Sequence, residues 1–251
     1  MTDALLSVRG LRKRFGGVVA TDRVDLDVRR GEVHALIGPN GAGKTSLIAQ
    51  LSGALLPDDG RIDFDGDEVT RWPQHRRVRR GLARSFQITR LFKGFSALDN
   101  LAIAVQARSG TSLSFWRPVA AERALADEAR ALLGEIGLAE RADVPAAQLS
   151  HGEQRALEVG VALATRPQLL LLDEPMAGTG PEDSARMVAL IGRVRERAAI
   201  LLVEHDVDAV FRLADRVSVL VNGRVIASGE PAAVRADREV ITAYLGEEAQ
   251  P

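Results

Sequence analysis

The sequence predicts an α/β fold in which a helical insert interrupts a mainly parallel sheet, and three observations lead there. Strand-like and helix-like segments alternate at both ends of the chain. Two apolar runs, at residues 168–172 and 199–203, are continuous rather than alternating, which suits strands covered on both faces of a parallel sheet. Between the ends, residues from about 88 to 154 have mostly helical spacing, and the stretch 120–136 is rich in Ala, Glu and Arg, which favour helix.

Taken in order, residues 5–8 and 24–28 read as short strands, and residues 32–37 as a strand that stops at a glycine-rich turn. The helix after it covers residues 44–53, and residues 61–65 alternate as a half-buried strand does. Further helices are expected at 100–107, 120–136 and 181–196, with another opening at Ser150. Residues 217–221 and 223–227 read as a hairpin around Asn222-Gly223, and residues 238–246 as a short terminal helix. There is no repeat and no low-complexity segment. One domain, 1–251, is expected, with a core of about 1–87 and 155–251 and a helical subdomain of about 88–154.

Composition narrows the function. With 251 residues, 46% of them hydrophobic, the chain can bury a full core. A formal net charge of -1 offers no global basic field, so no nucleic acid is expected as a partner. The absence of cysteine excludes disulfides and cysteine-held zinc and fits a reducing compartment. No apolar run approaches the ~20 residues that span a bilayer. The start, MTDALLSVRG, lacks the basic-then-apolar pattern of a signal peptide. Any membrane attachment is therefore expected to come through a partner.

The strongest chemical signal is GPNGAGKT, residues 38–45, which fits G-x-x-x-x-G-K-[ST] and lies between an expected strand and an expected helix, as that motif requires. Its glycines let the backbone curl until N–H groups point at phosphate oxygens. Gly38, Pro39, Asn40, Gly41, Ala42, Gly43, Lys44 and Thr45, with Ser46 just beyond, are the candidate nucleotide-binding residues. Lys44 supplies positive charge to the outer phosphates, and Thr45 offers a hydroxyl to magnesium. The bland alternative is a glycine-rich turn that only caps a helix.

LLLLDEP, residues 169–175, delivers Asp173 and Glu174 to a strand end, where open α/β sheets bind ligands. Asp173 can hold magnesium through water, and Glu174 can orient and deprotonate an attacking water. Standing alone, the pair reads equally as two solvated acids. Three weaker signals are as open. Gln87 follows strand-like residues 82–86 and can reach the metal or the water, or is simply exposed. His205, in VEHD, can bond a γ-phosphate and Glu174, or is a solvated loop histidine. Phe15, in KRFGG, can stack on a base, or pack in the core.

Ser150-His151-Gly152-Glu153 opens a helix, with Ser150 as its cap and Glu153 completing a capping box. Gly152 is the oddity, because a better helix former there would be favoured by up to about 1 kcal/mol. The glycine leaves the N–H groups of residues 150–152 uncovered at a helix start, an anion site by geometry and dipole. Nothing nearby in the sequence supplies the anion.

The ordered set RFGG, GPNGAGKT, SFQ, LSHGEQ, LLLLDEP and VEHD resembles the nucleotide-binding subunit of ATP-binding-cassette (ABC) transporters over nearly the whole chain. The resemblance implies a P-loop NTPase (RecA-like) ABC ATPase core with an antiparallel β subdomain and a helical insert, using ATP and Mg2+. It implies that Phe15 stacks on adenine, that Thr45, Asp173 and Gln87 serve the metal, that Glu174 is the catalytic base and that His205 is the switch histidine. Ser150 and Gly152 then belong to the signature that completes the site of a neighbouring subunit. Two positions depart from the family pattern: His151 stands where glycine is usual, and Gly180 where the loop after Glu174 usually ends in aspartate.

SFQITRLFKGFSALDNL, the insert with FWRP, the stretch after DEPMAG and the terminal VITAYLGEE are similar to the branched-chain (hydrophobic) amino acid uptake branch. The implied function is ATP hydrolysis driving import of branched-chain or related amino acids or amides. The implied partners are a second ATPase subunit, identical or paralogous, two membrane-spanning permease subunits and, indirectly, a substrate-binding protein. The implied place is peripheral, on the cytoplasmic side of the plasma membrane. Ile88, Leu91, Phe92 and Phe95 form an apolar cluster that suits a partner helix, or packs within the insert. A lipopolysaccharide or lipid export ATPase, with its similar tail, and a soluble ATP-dependent switch are the competing readings.

Overall fold

A computed structural model describes residues 4–85, 91–109 and 119–248. Strands β1 (Ala4–Phe15) and β2 (Val18–Arg29) form a long hairpin, followed by β3 (Val33–Ile37), α1 (Lys44–Ser52), β4 (Asp59–Phe64) and β5 (Asp67–Glu68). Next come α2 (Gln74–Arg80), β6 (Leu82–Arg84), α3 (Ala97–Arg108), α4 (Val119–Glu135), α5 (His151–Leu163), β7 (Leu169–Asp173) and α6 (Pro181–Val194). The chain closes with β8 (Ala199–Val203), α7 (Val207–Leu213), β9 (Arg216–Val221), β10 (Arg224–Gly229), α8 (Pro231–Arg235) and α9 (Arg238–Glu248). Among the described residues, one sheet has the order β10-β9-β3-β8-β7-β6 and is parallel except for the β9–β10 hairpin; a second, antiparallel sheet has the order β2-β1-β4-β5. Both sheets belong to one compact unit, residues 1–84, 168–174 and 194–251; residues 85–167 and 175–193 form a second.

Strands β3, β7 and β8 are buried along their whole length, as the continuous apolar runs require. Leu36, Leu169, Leu171, Leu201 and Val203 face a core shared with Leu6, Val8, Ile62 and Phe64 of the antiparallel sheet. Ala35 and Ile37 point the other way, onto Val210, Val217 and Val219. The first hairpin is longer than the expected strands at 5–8 and 24–28, because its outer halves are polar. Those halves stay paired through cross-strand groups such as the Arg12–Asp22 ion pair, 3.7 Å, with register shifts around Gly10, whose φ is 58°.

Helix α2 was not expected, since its sequence, QHRRVRR, lacks apolar periodicity. It is anchored instead by Arg77, which is fully buried and, among the described residues, has no carboxylate partner. Its guanidinium donates to Gln50 O at 2.8 Å, Leu51 O at 2.7 Å, Thr70 O at 2.9 Å and Trp72 O at 3.1 Å. Two of these carbonyls end α1, so the cation satisfies and electrostatically complements that helix C-terminus. Burial lowers the guanidinium pKa to about 10, still charged at neutral pH.

His34 is the one imidazole inside β3, with Nδ1 2.9 Å from Asp27 O and Nε2 2.8 Å from Ser218 Oγ. A carbonyl can only accept, so Nδ1 carries the proton and donates it to Asp27 O. Burial first, and the Arg216 charge second, lower its pKa from 6.5 to about 4. Between those values the unfolded chain binds more protons than the folded one, so this term stabilises fully above pH 6.5 and is lost as pH falls towards 4. Denaturant titrations are expected to show about 3 kcal/mol of acid destabilisation from this residue. A His34→Gln variant should flatten the slope across that window; an unchanged slope would refute the assignment.

Candidate active site

Four parallel strands end side by side in the order β3-β8-β7-β6, and each carboxyl end carries candidate chemistry. After β3 comes the glycine-rich loop. Gly38 has φ 154°, and a Cβ there would lie 2.0 Å from Leu220 O. Gly43 has φ 106°, and its Cβ would lie 2.0 Å from Ala20 O. No other residue type fits either place, so neighbouring backbone sets the curl of the loop. Gly223 N donates to Ala42 O, 2.9 Å, and Asp22 N to Gly223 O, 2.8 Å, which ties the loop to both hairpins. Asn40, Gly41 and Thr45 are exposed, Pro39 and Ser46 half-buried, and Ala42 buried. The buried Lys44 folds back, its Nζ donating to Gly38 O at 2.5 Å and Pro39 O at 2.9 Å. The first turn of α1 holds no acidic residue, so its positive dipole end has no built-in anion.

Phe15 is half exposed, which excludes the core-packing alternative. It closes β1 opposite Val18, two residues from the Ala20 that touches Gly43, with Lys13 Nζ 5.7 Å from the ring centroid. An aromatic face is thus available at the hairpin end that borders the loop.

Asp173 ends β7 with its side chain out of solvent. Its Oδ2 accepts from Arg84 Nη2 at 2.7 Å, while Oδ1 is buried without a hydrogen-bond partner. Glu174 follows at φ 50°, a conformation that costs a non-glycine residue of order 1 kcal/mol, and its N donates to Val203 O at 2.9 Å. After β8, Glu204 is fully buried and His205 exposed. His205 Nδ1 lies 3.7 Å from Glu204 Oε2. Arg84 and Glu204 went unassigned in the sequence, although a charged residue at the carboxyl end of an apolar strand was a usable signal in both LARSFQ and LLVEHD.

Among the described residues no three His, Cys, Asp or Glu side chains converge on a metal position. Magnesium bound by one or two protein groups, waters and phosphates needs no such cluster. The unpartnered Asp173 Oδ1 and the exposed Thr45 hydroxyl fit that donor set. Gln87 lies outside the described residues.

Ser150 and Gly152 belong to the second compact unit. The capping box forms as expected: Ser150 Oγ accepts from Glu153 N at 3.2 Å, and Glu153 Oε2 from Ser150 N at 2.8 Å. Burial pushes the Glu153 carboxyl up, but the Ser150 N–H and Arg141 outweigh it and hold the group below its ordinary range. The box corrects one expectation, since the Ser150 N–H is consumed and only those of His151 and Gly152 are left to face an anion. A second correction concerns Gly152. A Cβ there would stand 2.2 Å from Asp183 Cγ, so the glycine is also required by close packing against α6. A carboxylate does lie nearby, supplied from far along the chain. His151 is exposed, and its ring reaches to 3.7 Å of a Cβ built on Gly178, in the loop before Gly180.

In the same unit, the buried Asn100 organises residues 92–96. Its Oδ1 accepts from Phe92 N at 2.9 Å, and Nδ2 donates to Ser96 O at 2.9 Å and Phe92 O at 3.2 Å. The loop holds Phe92 and Phe95 outward, 55% and 49% exposed, with ring centroids 5.6 Å apart. Packing within the insert is thus not their role. Leu91 is half-buried, and Ile88 lies outside the described residues.

Residues 21–177 match the ABC transporter family, and residues 224–250 match the branched-chain amino acid ATP-binding cassette transporter family. The high-affinity branched-chain amino acid transport ATP-binding protein BraF of Pseudomonas aeruginosa is 39% identical, with 98% of this chain and 100% of that protein covered. The corresponding protein LivG of Escherichia coli K12 is 38% identical, with the same coverage of 98% and 100%. A crystal structure of the ADP conformation of an ATP-binding cassette of an ABC transporter superposes with a TM-score of 0.85 at 29% identity, covering 98% of this chain and 100% of that one.

The Gly152–Asp183 contact is directly testable. Gly152→Ala is expected to lower stability by about 1–3 kcal/mol, read as a lower denaturant midpoint. Asp183→Gly in that background should recover part of the loss. A Gly152→Ala protein as stable as its parent would show that close packing does not require the glycine.

Proposed function

Because the chain belongs to the ABC transporter ATP-binding family, we propose that it hydrolyses ATP to drive import of branched-chain amino acids or related amino acids or amides. The observation that carries the ATPase part is the placement of the glycine-rich loop, Asp173 and Glu174 at the carboxyl ends of β3 and β7, the two parallel strands that flank β8. The solute class rests on the relatives, which are named for branched-chain amino acid transport, and on the match of residues 224–250; these favour import over lipid export.

In this reading Phe15 stacks on the adenine, and the N–H groups of the loop with Lys44 hold the phosphates. Thr45 and Asp173 would hold Mg2+, which when bound neutralises charge on the phosphate oxygens. Glu174 orients the attacking water and takes its proton. His205 turns from Glu204 towards the γ-phosphate, and Gln87 senses the metal. His151 and Gly152 offer their N–H groups to the γ-phosphate held by a second ATPase subunit. Phe92 and Phe95 seat in a membrane-spanning permease subunit. The chain works peripherally at the cytoplasmic face of the plasma membrane; among the described residues no helix is long and apolar enough to cross a membrane.

Glu174→Gln is expected to bind ATP normally and to lose at least about 100-fold in turnover, because a carboxamide cannot accept the water's proton. The assay is ATP hydrolysis by the complex reconstituted with its permease and stimulated by a branched-chain amino acid with its binding protein. Near-parental turnover would remove Glu174 as the base, and stimulation by lipid but not by amino acid would remove the solute assignment.

The shared site is tested by mixing two defective chains. Ser150→Asp keeps a good N-cap while adding a negative charge where phosphate would sit. It should bind ATP as a monomer but not pair. Mixed with Lys44→Ala, it should regain part of the ATP-driven pairing seen by size-exclusion chromatography, since both lesions then fall on one of two composite sites. No recovery at any ratio, together with loss of ATP binding by the Ser150→Asp monomer, would show that residues 150–152 serve their own chain.

A further inference from the structure

Arg84 is absorbed by none of the roles above, yet its side chain hydrogen-bonds and ion-pairs with Asp173. The contact follows from the sheet. Strands β6 and β7 are parallel neighbours, and Arg84 is in register with Leu171. Register partners share a face, and so does the residue two further on, so Asp173 projects on the same side as Arg84. Strand spacing and rise put the two Cα atoms roughly 8 Å apart on the diagonal, a gap that a long side chain spans and a short one does not. The Nη2–Oδ2 distance is 2.7 Å, with side-chain exposures of 10% and 0%.

The pair is incomplete in an informative way. Asp173 Oδ1 and Arg84 Nε are both buried with no hydrogen-bond partner. Unmet valences make a buried pair costly, so these two call for an explanation. Here one carboxylate oxygen is held and the other is left at the strand end where the nucleotide site lies. Asp173 is also flanked by acids: Glu174 follows it, and Glu204 follows Val203, its register partner on β8. Arg84 therefore compensates the Asp173 charge from behind.

We infer that Arg84 is a positioning residue for the magnesium site: by holding Oδ2 and compensating its charge, it fixes the Asp173 carboxylate so that Oδ1 alone faces a metal-bound water. The inference rests on the reading of Asp173 as the magnesium carboxylate. Arg84 touches neither metal nor nucleotide. Its planar fork and fixed charge suit the task of orienting a carboxylate.

The test is equilibrium ATP binding by the full chain, followed by calorimetry across a Mg2+ titration and in EDTA. In Arg84→Met, the Mg2+ concentration that half-saturates the metal-dependent gain in ATP affinity should rise about 10- to 100-fold, with affinity in EDTA unchanged within about twofold. Arg84→Lys should restore most of the parental Mg2+ dependence. If Arg84→Met does not fold, Arg84→Gln, which keeps a donor without the charge, is judged by the same titration. Asp173→Asn separates the two readings. If it keeps the metal-dependent gain, Asp173 is not the magnesium carboxylate. If it loses the gain while the neutral Arg84 variants match the parent, the Arg84 inference is overturned. An equal loss of affinity with and without Mg2+ in a folded Arg84 variant also overturns it.

Discussion

Burial of β3, β7 and β8 on both faces is the constraint on which the rest depends. Apolar side chains fill both faces, so polar chemistry within these strands is confined to their ends or must be fully bonded. His34 is the bonded exception, neutral between a carbonyl and a hydroxyl. At the carboxyl ends the apolar runs stop together, and Gly38, Glu204, Asp173 and Arg84 meet one edge of the sheet. The acids and the glycine-rich loop share one end of the sheet because β3, β8 and β7 lie side by side.

Rigidity of the loop comes from its surroundings. Gly38 and Gly43 are pressed by the carbonyls of Leu220 and Ala20, on two different hairpins. The far end of α1 is held by Arg77, a cation that binds carbonyls. The helix that starts at the glycine-rich loop is thus fixed at both ends, which reduces the reorganisation that binding a ligand there would require.

Strain and close approach gather at the same places. Glu174 sits at positive φ directly after the buried strand, and Gly152 accommodates a carboxylate where a methyl group would collide. Gly152 shows how two demands can share one residue: open N–H groups at a helix start and tight packing against α6. Asn100 plays a comparable part for the 92–96 loop, spending its amide on backbone groups so that two phenylalanine rings remain outside.

Much of the fold was legible because its signals are local. Continuous apolar runs marked β7 and β8, GPNGAGKT marked a strand-to-helix turn, Asn222-Gly223 marked a hairpin, and Ser150 with Glu153 marked a helix start. The candidate site was legible for the same reason, as a loop and two acids announce themselves within a few residues. What the sequence alone did not reveal depends on partners far along the chain. Helix α2 owes its place to Arg77 reaching carbonyls of α1, and the outer halves of β1 and β2 to cross-strand pairs. Gly152 meets Asp183 across 31 positions of sequence, and Arg84 meets Asp173 across 89. Local propensity and spacing report on neighbours in the chain; charge pairing and close packing are decided by neighbours in space, which only the tertiary fold brings together.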